Sequence, residues 1–315
     1  MALADDILGN ITGYSKAMYS SWFYYKPARI LLDAGEGVAS ALENFIFGIE
    51  KVFISHGHHD HIGGLPGVVR ARSSARGDKQ KPLIVYYPAG DILVEQLTQY
   101  IDNVSGRLEF ELTWAPLQPG DSVVLDDAGA GQAIPRIAPA CPDTPQLKAS
   151  PGRSFVRAFA TPHSRRSVTL GYKLMERRRR LRPEFEGMAE QEIAHTVKQR
   201  GRDAVTEEYE HSLLVYGGDS MPLPADEVRG CEVLLHDSTF ITPDDRGNET
   251  HAAMEEVIEL AAAANVTRLL LIHVSSRYTK GQVITAAKKL AEKYGMLDRT
   301  AIILHRKIIE LRNDE

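Results

Sequence analysis

The chain carries two cysteines in 315 residues, Cys141 and Cys231, and neither belongs to a C-x-x-C pair. That scarcity excludes a disulfide framework and points to a reducing compartment. No run approaches the ~20 apolar residues of a membrane span. The opening Met1-Ala2-Leu3-Ala4-Asp5-Asp6 has neither the basic start nor the long apolar stretch of a secretory leader. A cytoplasmic protein with no membrane partner is expected. A Pro/Gly/Ser-rich linker is missing too, as is any internal repeat, so residues 1–315 are expected to form one domain. At 43% hydrophobic and 25% charged, such a chain can bury one large core. A surplus of positive charge is also absent. The net charge of −5 weighs mildly against nonspecific binding to a polyphosphate, whose affinity comes mostly from Lys and Arg replacing counterions.

Histidine and aspartate, by contrast, are concentrated. The run Ile54-Ser55-His56-Gly57-His58-His59-Asp60-His61-Ile62-Gly63-Gly64 places ionisable groups directly after an apolar, β-branched stretch. Four such groups beside a buried strand carry a large desolvation cost unless a divalent cation offsets it, and imidazole nitrogen and carboxylate oxygen are good zinc ligands. In a loop leaving a strand, His56 and His58 can turn to one side as a pair. Asp60 and His61 fall on the next stretch and can reach a second metal. Gly63, Gly64 and Gly67 then let the backbone turn into a helix.

Short apolar strands alternate with helices along the chain. Strands are predicted over 29–33, 52–55, 83–87, 108–114, 155–160, 168–174, 213–216, 233–236, 268–273 and 301–304 from β-branched content and length. Helices are predicted over 252–264 and 282–294, and 127–150 reads as an irregular loop. His163, Asp219 and His273 each stand at the C-terminal end of a hydrophobic run, where open α/β sheets gather functional groups.

The His-x-His-x-Asp-His arrangement resembles the metallo-β-lactamase superfamily. Within it, four segments resemble ribonuclease Z, the endonuclease that trims the 3′ end of precursor transfer RNA. They are Asp33-Ala34-Gly35-Glu36-Gly37, His163-Ser164 with Gly171-Tyr172, His236-Asp237-Ser238-Thr239, and His273-Val274-Ser275-Ser276-Arg277-Tyr278. The resemblance covers about residues 30–278. It implies a four-layer αββα sandwich of two mixed β-sheets flanked by helices, with the metals along one edge between the sheets. It also implies two divalent ions, with His56, His58 and His163 on one, Asp60, His61 and His273 on the other, and Asp219 bridging. Zinc suits this donor set; manganese and iron also accept it. A zinc-activated hydroxide is then the expected nucleophile. Asp60 would orient or deprotonate that water, and His251, steadied by Asp237, would protonate the leaving oxygen as an imidazole with pKa near 7. Ser275, Ser276 and Arg277 are expected substrate contacts.

Three departures from the family pattern bear on function. Asp237 replaces a glutamate, so the relay to His251 must span a longer gap or be bridged by water. His251-Ala252-Ala253 replaces a His-Ser-Thr loop. The Gly/Pro-rich arm that binds the transfer RNA elbow is replaced by a short charged arm at about 175–211. Arg177 and Arg178 open that arm and are its candidate phosphate contacts. Arg70, Arg72, Arg76, Lys79 and Lys81, and Arg165 with Arg166, are further basic clusters. The partner is therefore RNA or a small phosphodiester such as a cyclic nucleotide, and the family's homodimeric habit makes a homodimer an expectation. A noncatalytic nucleic-acid-binding relative is the reading from a different class.

Overall fold

The computed structural model describes residues 1–74, 81–125, 153–163, 168–247 and 249–312. The 127–150 stretch, Cys141, Arg76, Lys79, Arg165 and Arg166 lie outside the described residues.

The first sheet contains β1 (Ile11–Lys16), β2 (Ser20–Tyr25), β3 (Ile30–Leu32), β4 (Lys51–Phe53), β5 (Leu83–Pro88) and β6 (Leu112–Leu117), paired in chain order. The second contains β7 (Ser122–Val124), β8 (Ser154–Ala160), β9 (Leu170–Leu181), β10 (Thr206–Tyr216), β11 (Val233–Asp237), β12 (Arg268–Ile272), β13 (Thr300–Leu304) and β14 (Lys307–Glu310), also in chain order. Both sheets are mixed. β3 to β6 run parallel behind an antiparallel β1–β2 hairpin, and β10 to β13 run parallel between antiparallel neighbours.

Side chains alternate across a strand, so a strand covered on both faces must be apolar at every position. Val233, Leu235, Leu270 and Ile272 enter the core between the sheets with Phe23, Phe53, Tyr86, Tyr172 and Tyr216. Leu234, Leu269 and Leu271 point the other way, against helices Met254–Ala263 and Lys280–Lys293. On the far side, Leu31, Val52 and Val85 pack against helices Leu65–Ser73 and Ile92–Ser105. The order is helix, sheet, sheet, helix, which is the predicted four-layer sandwich.

Ten predicted strands are present, with corrections at their ends. The 108–114 strand is Leu112–Leu117, and β1, β2, β7 and β14 were not foreseen. Ser20–Tyr25 is buried throughout but begins with two serines, so it lacks the signature of an apolar run. The largest correction is in the arm. The predicted strands stop at 174 and resume at 213, whereas β9 and β10 continue as an antiparallel ribbon through the charged residues, closed by helix Glu190–Arg200, which has no buried residue. Charge complementarity accounts for the extension, because opposite charges facing each other across a ladder stabilise it. Arg180 faces Glu207 and Arg179 faces Glu208 in the register, and both pairs form ion pairs, at 2.7 and 3.2 Å.

Candidate metal centre

β8, β10, β11 and β12 are mutually parallel, so their C-terminal ends share one edge of the second sheet, facing the ends of β3 and β4 from the first. That geometry gathers residues distant in sequence. His56 and His58 follow β4, Asp60 and His61 sit in the short helix His59–Ile62, His163 follows β8, Asp219 follows β10, Asp237 ends β11 and His273 follows β12. Their donor atoms form three overlapping groups: His56, His58, His163 and Asp219; Asp60, His61, Asp219 and His273; and Asp219, Asp237, His251 and His273. Within each group all donor atoms lie within 4.8 Å of one another, and Asp219 belongs to all three. All seven residues expected as ligands come together, in the two sets expected.

The histidines are aimed by bonds at their other ring nitrogen, a common device for fixing a metal ligand. His56 Nδ1 donates to Ser55 Oγ (3.0 Å), His61 Nδ1 to Asp33 Oδ2 (2.6 Å), His163 Nδ1 to the Thr250 carbonyl (2.8 Å) and His273 Nδ1 to Thr239 Oγ1 (2.9 Å). Each bond leaves Nε2 pointing into the cluster. The Nε2 atoms of His61 and His273 are buried with no hydrogen-bond partner, although Asp219 oxygens lie 3.1 and 3.2 Å away. Buried ring nitrogens without partners are costly unless something is bound there. Imidazole nitrogens around carboxylates are the donor chemistry of divalent cations, and the residues fit such ions.

Protonation preferences agree. Burial and the neighbouring His61 push His56 well below the ordinary histidine range, and burial lowers His163, so both are neutral and ready to ligate. Burial also disfavours charge on His61, but Asp219 and Asp33 outweigh it and raise His61 well above that range. Burial likewise disfavours the Asp219 carboxylate, yet His273 and His61 hold it well below the usual carboxylate range. Positive charge is thus favoured beside Asp219. A cation taken up by His61 Nε2 displaces a proton, so affinity rises with pH.

Asp33 has no role in the sequence reading beyond its place in a motif. It is fully buried and accepts from Ser55 N (2.6 Å), Ser55 Oγ (2.7 Å), Tyr216 OH (2.5 Å) and His61 Nδ1. Its φ of 55° lies in the left-handed region, a strain that the four donors overdetermine. The available signal was a charged residue at the end of a fully buried strand. Gly35 and Gly64 allow this strand end to meet the metal loop, since a Cβ on Gly35 would strike the Asp60 carbonyl and one on Gly64 the Gly35 carbonyl. Asp33→Asn is expected to lower metal affinity about 10–100-fold through His61. Titration with zinc against a competing chelator, with a thermal melt as the fold control, checks this; unchanged affinity in a folded variant counts against the role.

Asp237 is fully buried and is held by Ser220 N (3.1 Å) and Thr239 N (2.8 Å). Its Oδ2 takes a direct bond from His251 Nδ1 at 2.7 Å, so neither the longer gap nor the bridging water expected for the shorter side chain exists. The pKa near 7 expected for His251 is also corrected. Burial opposes its charge, but the Asp237 bond and charge prevail and raise it to about 9. At neutral pH this imidazole holds a proton 3.9 Å from Asp219, on the open side of the site, where His251 is 21% exposed. His236 is fully buried, accepting from Leu223 N (3.1 Å) and donating to the Asp237 carbonyl (2.8 Å), bonds that serve the fold.

The expected substrate contacts are more dispersed. Ser275 and Ser276 follow His273 after the intervening Val274. Arg277 stacks on Phe240 (4.9 Å) and bonds the Asp245 carbonyl (2.9 Å). In the arm, Arg178 pairs with Glu176 (2.6 Å) and Arg177 lies over the Phe155 ring (5.4 Å).

A family model described as beta-lactamase superfamily domain matches residues 204–274, and one described as anti-Pycsar protein Apyc1 matches residues 7–119. A ribonuclease Z from Natronomonas pharaonis is 30% identical over 273 residues, covering 79% of this chain and 79% of its own length. A ribonuclease Z from Ignicoccus hospitalis is 28% identical over 313 residues, covering 92% and 93%. Among solved structures, the short form of human tRNase Z superposes with a TM-score of 0.61 at 17% identity, covering 96% of this chain and 99% of that one. At that identity the likeness is one of fold.

Proposed function

Because the chain belongs to the ribonuclease Z family of metallo-β-lactamase-fold hydrolases, we propose that it is a metal-dependent endonuclease cleaving on the 3′ side of precursor transfer RNA. The observation that carries the reading is the set of overlapping donor groups sharing Asp219, in a chain with this family identity. The same identity favours RNA over the small-phosphodiester alternative.

In this reading His56, His58 and His163 would hold one divalent ion and Asp60, His61 and His273 another, with Asp219 available to both; the proposed metal is zinc. When bound, the ions supply Lewis acidity and lower the pKa of water toward ~7. Asp60 orients the attacking water. Its Oδ2 lies 3.5 Å from His273 Nε2 and accepts from Met18 N at 3.0 Å; burial disfavours its charge, but the neighbouring His273 and His61 outweigh burial and lower its pKa. His251 delivers its proton to the leaving oxygen, and Asp237 stabilises the imidazolium beforehand. Ser275, Ser276 and Arg277 are proposed contacts to substrate, as are Arg177 and Arg178, whose attraction Glu176 partly cancels. One domain over 1–315 is supported by the core shared between the two sheets. A cytoplasmic homodimer remains part of the proposal.

The purified protein is expected to hold about two divalent ions per chain, to cleave precursor transfer RNA, and to lose that activity with a chelator and regain it with zinc. Metal analysis beside assays on precursor transfer RNA, cyclic nucleotides and bis(p-nitrophenyl) phosphate is the test. Turnover of cyclic nucleotides without RNA cleavage would replace this function with the small phosphodiesterase. An active preparation with no metal would overturn the mechanism.

A further inference from the structure

In the charged arm most of the positive charge meets acidic partners, whereas a cleft elsewhere leaves its cations without them. Arg178, Arg179 and Arg180 of the arm are answered by Glu176, Asp203, Glu207 and Glu208, while Arg177 lies over the Phe155 ring. Beside the metal centre, a cleft of about 610 Å³ is lined by Lys16, Lys280, Arg306 and Lys307, together with Ser275, Ser276 and others. Among the described residues none of these four cations forms an ion pair, and the lining contains no carboxylate. Lys280, Arg306 and Lys307 are exposed.

The cleft is fastened to the metal centre at two points. Ser15 N donates to the His305 carbonyl (2.9 Å), while Ser15 Oγ accepts from His273 N (2.7 Å), so one residue joins the β13–β14 turn to the backbone of an expected ligand. Met18 N donates to Asp60 Oδ2, which sets the turn after Lys16 against the other side of the same metal group. Met18, His273 and His305 all have φ near 60°, outside the range most side chains favour, so the junction is held in an unusual conformation at each anchor. Arg306 Nη2 donates to the Ala41 carbonyl (3.2 Å) and Lys16 Nζ lies over the Tyr19 ring (4.0 Å), and the backbone from which the cations spring is fixed relative to the cluster.

We propose that this cleft is a binding track for the phosphates of the RNA strand adjoining the scissile bond. The inference rests on the endonuclease reading and deepens it by saying where the polyanion beside the cleavage point is held. Unpaired lysines and arginines in a groove attract a nucleic-acid backbone by releasing its counterions, whereas arginines already paired with glutamates release fewer. A polyanion can therefore gain affinity here even though the chain as a whole carries a charge of −5.

The test is binding of zinc-loaded protein to a precursor transfer RNA with a methylphosphonate at the cleavage point, measured by fluorescence anisotropy across a potassium chloride series. Lys280→Ala/Arg306→Ala/Lys307→Ala is expected to flatten the slope of log affinity against log salt by about 2–3 and to weaken binding roughly 10²-fold near 0.1 M salt. The single variant Lys280→Ala, on an exposed helix end, should flatten it by about 0.7–0.9, which keeps the test valid if the triple variant folds poorly. The charge-keeping Lys280→Arg/Lys307→Arg should behave as wild type. Identical slopes for wild type and the cleft variants would overturn the inference, as would failure of wild type to bind. A larger flattening from Arg177→Ala/Arg178→Ala would move the track to the arm and overturn it too. RNA binding through the cleft without cleavage of the unmodified precursor would sink the endonuclease reading alone.

Discussion

Asp219→Asn is expected to reduce RNA cleavage by at least about 10³-fold and to bring metal content below one ion per chain. The carboxylate is the common member of all three donor groups, and its oxygens lie 3.1 Å from His61 Nε2, 3.2 Å from His273 Nε2 and 3.9 Å from His56 Nε2. An amide keeps the shape but presents one neutral oxygen and an NH₂ group to ring nitrogens that need an anion or a cation between them. Electrostatic stabilisation by a catalytic metal is worth several kcal/mol, and each 1.36 kcal/mol is tenfold in rate. Metal analysis and single-turnover cleavage measure the two losses together. Wild-type metal content with wild-type cleavage would remove Asp219 from the bridge position. Its own pKa, held low by His273 and His61 against burial, gives the same variant a second signature. Without that anion the histidines lose the group that favours their protonated forms, so His61 should titrate lower in the metal-free variant than in metal-free wild type, as NMR of the imidazole resonances would register.

His251→Ala is expected to keep fold and metal yet lose about 10²–10⁴-fold on precursor transfer RNA, while changing little on a p-nitrophenyl diester. The contrast follows from the leaving groups. A ribose alkoxide departs poorly without a proton, whereas p-nitrophenolate leaves unaided. His251 is suited to supply that proton because its Nδ1 bond to buried Asp237 raises its pKa to about 9, so the acid form prevails at neutral pH. The sign follows from the raised value: the protonated population falls as pH rises through that pKa, and the proton-dependent part of RNA cleavage falls with it. Equal slowing on both substrates, with both metals retained, would show that His251 is not the acid. Restoration of activity on the ribose leaving group by added imidazole would support the assignment independently of any change in packing.

Much of the centre was legible because metal chemistry demands particular donor atoms. His56, His58, Asp60 and His61 are crowded behind a strand whose apolar residues mark it as buried, and His163, Asp219 and His273 each end a hydrophobic run. The residues that aim them were less legible. Ser55, Thr239 and Asp33 use short polar side chains common throughout the sequence, and their role depends on a partner that the fold brings near, 34 positions away for Thr239 and His273. Ser15 is clearer still as a case, since its partner His273 is 258 residues distant.

The arm makes the same division in another form. Its arginines were visible as a run, but the run alone cannot tell a phosphate-binding stripe from one half of a charged ladder. That depends on register, which sets Arg179 opposite Glu208 and Arg180 opposite Glu207. The cations of the cleft come from three separate places in the chain, around residues 16, 280 and 306, and the longest run among them is the pair Arg306-Lys307. By itself the sequence determined the chemistry of the metal donors and the two-faced burial of the strands, because both are set by residue type and short-range period. Only the tertiary structure decided which charges are neutralised and which remain free, because an ion pair or an open cleft is a relation in space between segments with no fixed spacing along the chain.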